Sequence, residues 1–342
     1  MKRIILLTDY KDYFGSKWDA IPYNSGFDKE LITKYFAANN YKVELIPLSK
    51  AKEIDNVIDI PVLYTSSEDI GYHYKDFIED IIYYLELKGA NVIPRHKFLR
   101  ANNNKVFMEL LRNTIDENSD SKLKSWVFGT YEDLLEIIDD ITYPIVVKTP
   151  RGAMSRGVSL AKNKEELISN VKSISRSKHL VQDIKDNLRP YKHKGYKVNS
   201  LYREKFILQE FVPDLINDWK ILIYGKKYFV LTRHVGKGDF RASGSHNNYL
   251  AGSKAIMPEG LLDFAHSIYQ SMDVPHLSID VIFDGDSFRL IEFQALYFGT
   301  STVNMSDVYF EKVNQEWKQN KIIETIEELY VNGVVYYIGK TE

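Results

Sequence analysis

Between Ser278 and Gly299, two apolar runs, Ser278 to Phe283 and Phe288 to Phe293, flank a turn cluster at Asp284-Gly285-Asp286. That pattern predicts a β-hairpin. Each run carries an acid within it, Asp280 between Ile and Val and Glu292 between Ile and Phe. An ionised carboxylate in such surroundings is costly unless it is paired or bound to a cation. Glu292 and Gln294 are two residues apart, so a strand points both from one face. Asp280, Glu292 and Gln294 can then converge on one patch of a rigid sheet, an all-oxygen donor set that suits Mg²⁺ or Mn²⁺ holding a nucleotide's phosphates. The same pattern fits two strands whose acids bond to arginine or to backbone groups. Asp280 shares a face with Glu292 only if the loop at Asp284 to Ser287 has an odd residue count or a strand carries a bulge. An odd loop is the expectation.

Upstream, short apolar runs alternate with helical spacing. Arg3 to Leu7, Tyr41 to Leu48, Pro61 to Thr65 and Asn91 to Pro94 read as strands. Asp28 to Ala38 and Tyr74 to Leu87 read as helices, the second with Phe77, Ile81, Tyr84 and Leu85 on its apolar side and Gly89 as its cap. The alternation predicts a small parallel sheet across residues 1 to about 95, with the Tyr10 to Gly26 loop at the carboxyl end of the first strand. Lys105 follows Asn104 at a helix start, where a cation is disfavoured unless an anion sits nearby. Pro144 to Lys148 is a strand ending in lysine. The loop that follows, through Arg151 and Gly157, can present an ammonium and backbone N–H groups to phosphates, although the lysine precedes the glycines and no helix follows directly, unlike a Walker loop.

From Ser177 to Lys205 the composition turns basic with little apolar periodicity and reads as a solvated excursion or a basic arm toward an anionic substrate. Phe206 to Pro213 is a strand ended by proline, and Asp218 to Tyr224 with Lys227 to Arg233 form a second hairpin around Gly225-Lys226. Gly236 to Asn248 is a polar loop carrying Arg241. Pro258 to Met272 reads as a helix and Val308 to Tyr330 as closing helical material.

Composition limits the function. The 342 residues suffice for two or three domains, and a formal net charge of −2 offers no global attraction to nucleic acid or an anionic membrane. The absence of cysteine excludes a thiol nucleophile and a thiolate metal site. No apolar run approaches membrane-spanning length, and a cytoplasmic location is expected.

The order of these pieces is more specific than any one of them. A lysine ends a strand, a small-residue loop and a helix follow, then Gln-Glu-Phe-Val-Pro, an Asp opening a hairpin, the run Asp239-Phe240-Arg241-Ala242-Ser243, and Asp280 with Glu292-x-Gln294. In this the chain resembles the ATP-grasp enzymes, most of all the carboxylate-amine ligase branch that includes the ribosomal-protein glutamate ligases and D-alanine ligases, over roughly Arg100 to Met305. The resemblance implies a mixed α/β and α+β fold: an N-terminal α/β domain at 1–105, a lid subdomain at 106–205 and a C-terminal antiparallel-sheet subdomain at 206–342. It implies ATP and Mg²⁺ (or Mn²⁺) as cofactors, with Lys105 and Lys148 on the phosphates beneath a 151–157 lid. The backbone of Glu210 and Val212 would hold the adenine edge, with Gln209 nearby and Asp218 on the ribose. Asp280, Glu292 and Gln294 would hold the metal, and Arg233 and Arg241 would face the transferred phosphoryl group and the substrate carboxylate. The family commonly has Asn where Gln294 stands, Glu where Gln209 stands, and more glycines in the lid. The implied reaction joins a carboxylate and an amine, small molecules or peptides, through an acyl phosphate. His234, His246 and His276 are open as a base toward the amine. A kinase of another acceptor and a non-catalytic nucleotide-binding scaffold stay open as alternatives, as does a homodimer.

Overall fold

The first apolar run is strand β1 (Lys2–Thr8), buried on both faces because Ile4 and Leu6 enter one core cluster and Ile5 and Leu7 another. The computed structural model describes residues 1–115, 123–152, 157–177, 179–236, 238–241 and 249–341. Helix α1 (Lys29–Ala38) follows, started by Asp28, whose carboxylate accepts the N–H groups of Glu30 and Leu31. Then come β2 (Tyr41–Pro47), β3 (Pro61–Tyr64), α2 (His73–Leu87), β4 (Asn91–Ile93) and α3 (His96–Ala101). The strands form a parallel sheet in the order β2-β1-β3-β4, as the alternation predicted. The inward face of α2 differs from expectation: Ile78, Ile82 and Leu85 are buried, while Phe77 and Tyr84 are exposed. Lys75 and Glu79 also lie on the inward face, paired with each other, and Arg100 reaches Glu79 at 2.7 Å. α2 carries apolar residues on more than one side, and the side it buries is the one that also holds this ion pair.

Next are α4 (Lys105–Ile115), β5 (Ser125–Phe128), α5 (Tyr131–Leu135), β6 (Ile145–Lys148), β7 (Val158–Ala161), α6 (Lys164–Ser175), α7 (Leu180–Lys192) and β8 (Phe206–Glu210). The sheet β5-β8-β6-β7 is antiparallel. Val147, Phe206, Leu208 and Leu167 of α6 lie in its core cluster. The stretch read as a solvated excursion contains α7. Leu180, Val181, Ile184 and Leu188 stand at helical spacing but are exposed, and the residues α7 buries are Asp183 and Asp186.

The remaining elements are β9 (Asn217–Tyr224), β10 (Lys227–His234), β11 (Leu250–Ala251), α8 (Leu261–Ser271), β12 (His276–Phe283), β13 (Phe288–Gln294), α9 (Ser301–Met305), β14 (Val308–Val313), β15 (Glu316–Lys321) and α10 (Ile326–Thr341). They build a sheet in the order β13-β12-β9-β10-β14-β15, with β11 on β10. The closing segment is therefore a hairpin followed by a helix, where helical material was expected from Val308. Val308 and Phe310 are buried at period two, and Asn314 and Gln315 take positive φ (51° and 70°), the twist a two-residue hairpin turn requires. On one face of this sheet Leu222, Tyr224 and Phe229 share a core cluster with β1, α1 and α10. On the other, Tyr269 of α8 meets Tyr228 edge to face at 6.3 Å and Phe264 stacks on Phe288 at 5.5 Å.

By compactness the chain divides into a larger unit, residues 1–102, 111–121 and 214–342, and a smaller one, residues 103–110 and 122–213.

Candidate functional site

In the larger unit, four adjacent strands present one polar face. Cross-strand partners share a face, and the register pairs Arg233 with Asp218, Lys220 with Asp280, Asp280 with Glu292, and Ser278 with Gln294. The three oxygen-bearing residues expected to share a face do so, but not through an odd loop. Phe283 pairs with Phe288 across the four residues 284–287, an even count, and the register instead shifts at a β-bulge between Asp280 and Val281. Ile291 is the extra residue on β13. The loop is fixed locally. Asp284 accepts the N–H groups of Asp286 (3.1 Å) and Ser287 (2.8 Å) and the Arg289 Nε–H (2.7 Å), and these bonds, that of Ser287 foremost, hold its carboxyl down at about 2. Beside the bulge, buried Arg112 donates from Nη1 to the Leu290 carbonyl at 2.7 Å.

Arg233 and Asp218 are each nearly fully buried, at 6% and 5% exposure. Arg233 donates to both Asp218 oxygens (Nε to Oδ1 2.6 Å, Nη2 to Oδ2 2.8 Å) and reaches Asp280 Oδ2 at 3.0 Å, while Lys220 Nζ stands 3.4 Å from Asp280 Oδ1. Burial pushes the Asp218 carboxyl up, against the pull of Arg233. Burial pushes Asp280 up as well, but Arg233 and then Lys220 outweigh it and hold its carboxyl below the usual range. Two carboxylates that share one guanidinium titrate as a pair.

Asp218, expected on the ribose, has both oxygens on Arg233. Arg233 is enclosed between two carboxylates. Arg241 bonds to Asp239 in its own loop (Nε to Oδ1 2.9 Å, Nη2 to Oδ2 3.0 Å). Residues 237 and 242–248 of that loop, His246 among them, lie outside the described residues. His276 is buried at 4% exposure between the rings of Tyr224 and Tyr330, where burial drives its imidazole down to about 3. That placement removes it as a base. His234 ends β10, half-buried.

In the smaller unit, Lys148 ends β6 and donates to the Gln209 side-chain oxygen, and Gln209 Nε2 donates in turn to Glu109 Oε1 at 3.3 Å. All three are buried. Val146, not Lys148, is the direct partner of Gln209, so the Lys148–Gln209 contact is diagonal on one sheet face. Lys105 donates from Nζ to the Gly152 carbonyl and from its backbone N–H to Pro150, both at 2.8 Å, which fastens the start of the expected 151–157 lid. Residues 153–156 of that loop lie outside the described residues. At the expected adenine hinge, the Glu210 N–H donates to Lys124 O at 2.9 Å. Val212 follows the strand, half-buried.

Lys220, Arg112 and Glu109 were missed from sequence. Lys220 had a signal, since it stands two residues after Asp218 and so shares its face. Arg112 and Glu109 had none, because a charge on a helix is ordinarily solvated.

Among the described residues no three His, Cys, Asp or Glu side chains gather to cage a metal. The platform offers two carboxylates directly opposed and an amide two residues on. Those oxygen donors would suit a hard divalent ion.

No protein-family model and no curated protein matches the sequence. Solved structures match in shape. A RimK-domain ATP-grasp protein from Sphaerobacter thermophilus is similar at TM-score 0.54 and 14% identity, over 97% of this chain and 98% of that one. The D-cycloserine synthetase DcsG is similar at 0.55 and 13%, with the same coverage. An ATP-grasp ligase associated with a RiPP from Chryseobacterium gregarium, solved with ADP and a leader and core peptide, is similar at 0.55 and 12%, over 100% and 98%. The chain has the ATP-grasp fold.

Proposed function

We propose that this protein is an ATP-dependent carboxylate-amine ligase working through an acyl phosphate. The observation that carries the reading is the bulge that sets Asp280, Glu292 and Gln294 on one face beside Arg233 and Lys220. Like charges placed directly opposite on paired strands destabilise a sheet, so the arrangement calls for cations. Structural neighbours that are a synthetase and a ligase by name support the same reading, one of them solved with ADP.

In the larger unit, Asp280, Glu292 and Gln294 would hold Mg²⁺ or Mn²⁺, which when bound neutralises phosphate charge during phosphoryl transfer. Arg233 and Lys220 position the Asp280 carboxylate. In the smaller unit, Lys148 and Lys105 supply cations for ATP phosphates, with Gln209 orienting the Lys148 ammonium. The Val212 backbone would meet the adenine edge. A substrate carboxylate oxygen attacks the γ-phosphorus as the bond to the ADP oxygen breaks. The amine then attacks the acyl carbon, loses a proton, and phosphate leaves. Arg241 is the candidate to stabilise the tetrahedral oxyanion. The substrates are proposed as small or peptidic carboxylates and amines, handled in the cytoplasm.

The test is ADP release measured across mixtures of carboxylates and amines, with mass detection of product. An amide product formed with ADP, and a loss of about a hundredfold or more in Glu292→Ala with unchanged melting, is the expected result. A phosphorylated acceptor without amide would make the protein a kinase. Unchanged turnover in Glu292→Ala would remove the platform from the chemistry.

A further inference from the structure

Helix α7 is mounted opposite to the usual way for a surface helix, which buries its apolar stripe. What the smaller unit holds is the polar side. Asp183 lies 3.6 Å from Arg176 and 3.9 Å from Arg203. Asp186 accepts the Asn199 backbone N–H (2.7 Å) and the Arg189 Nη1–H (3.0 Å), and takes the Tyr196 hydroxyl. These bonds hold the Asp186 carboxyl below the usual range, that of Tyr196 foremost. With its acids anchored inward, the helix turns Leu180, Val181, Ile184, Leu188 and Tyr191 outward, each between 55% and 90% exposed. At 100° per residue they fall within one arc about 100° wide, continuous over about three turns.

Lys185 and Lys192 border that arc, and Lys194 and Lys197 follow the helix. All four are exposed. From 179 to 197 the chain carries five lysines and arginines (185, 189, 192, 194, 197) against two acids, Asp183 and Asp186. Both acids are buried, so the outward side is basic as well as apolar.

We propose that α7 lies on an anionic lipid surface, its apolar arc in the acyl boundary and its lysines at the level of the phosphates. A convex apolar stripe edged with lysine is the form that inserts in the plane of a bilayer. The lysine stems extend along apolar surface while their ammonium groups stay in water, and the tyrosine at the end of the stripe suits the interface. A protein partner would have to bring its own apolar groove. The helix is 13 residues long, about 20 Å, and lies on a membrane rather than through it. Among the described residues no helix is long and apolar enough to cross one.

The test is co-sedimentation of the full chain with vesicles of phosphatidylcholine alone or with a third phosphatidylglycerol. Binding is expected to the anionic vesicles, to weaken with added salt, and to fall about a hundredfold in the double variant Ile184→Ser, Leu188→Ser. Neutralising Lys192, Lys194 and Lys197 to glutamine is expected to lose about fivefold for each lysine. Circular dichroism and melting of each variant, whose altered side chains are exposed, check that the fold persists. Failure of the protein to sediment with anionic vesicles, or a serine variant that sediments like the parent, overturns the proposal. So does a dimer that the serine pair converts to a monomer in the absence of vesicle binding, which would assign the face to a second copy.

Discussion

The hairpin β14–β15 pairs without interruption from Val308↔Lys321 to Val313↔Glu316 around the two residues Asn314 and Gln315. Two strands beyond β10 on the other side of the same sheet, β12–β13 closes over four residues and then slips by one at Ile291. The regular hairpin alternates its faces from end to end, so every side chain's direction follows from the turn. The bulged one changes direction part way along, and the change sets Asp280 opposite Glu292. A sheet can thus keep one hairpin for structure and re-aim another for a charged face, with a single residue making the difference.

The contrast is broken most severely at Arg233, which serves the bulged hairpin through Asp280. Arg233→Met leaves buried Asp218 and half-buried Asp280 without their shared cation, and is expected to lose about 3–5 kcal/mol in urea unfolding. Reversing it with Asp218→Asn in the same chain is expected to recover part of the loss. An Arg233→Met chain as stable as the parent would show that the network is not what holds the platform.

A second difference lies at the start of β12. His276 is buried and neutral, so the unfolded chain binds a proton that the folded one refuses. Its contribution is whole above the ordinary value of about 6.5 and is lost as pH falls toward the folded value of about 3. Stability should fall by up to about 1.4 kcal/mol per pH unit through that window. His276→Phe should flatten the curve between pH 6.5 and 5, whereas no change in slope would place the acid sensitivity elsewhere. Gly333 is the matching constraint, since a Cβ there would collide with the His276 ring.

The smallest expected effect belongs to the regular hairpin. Asn314→Val puts a β-branched residue at positive φ and is expected to lose about 1 kcal/mol. ADP formation should be unchanged, because the turn serves β14–β15 alone. A drop in turnover at equal folded fraction would tie this hairpin to the chemistry after all.

Much of this was legible in the sequence. The parallel sheet showed itself in alternating apolar runs, and the platform in two acids embedded among Ile, Val and Phe. What could not be read depended on partners far along the chain. The location of the bulge is settled between strands and beside Arg112, not within the loop. Asp218 looked available until its cross-strand neighbour proved to be Arg233. The apolar pattern alone does not mark the side that α2 or α7 buries, because α2 buries an ion pair beside its isoleucines and α7 turns acids inward and apolar residues out. The β14–β15 hairpin was read as helix because Glu, Lys and Gln in Glu316–Lys321 favour helices locally, while pairing along the sheet decides otherwise.

The bond from Arg112 to the Leu290 carbonyl joins residues 178 positions apart. Strand register is usually settled by neighbours within a few residues, whereas this bond reaches the β12–β13 hairpin from outside both strands. In the bulge-free alignment Asp280 faces Ile291 and turns to the opposite side from Glu292. The slipped pairing that completes the charged face thus draws one of its bonds from a helix far along the chain, which the two strands alone cannot supply.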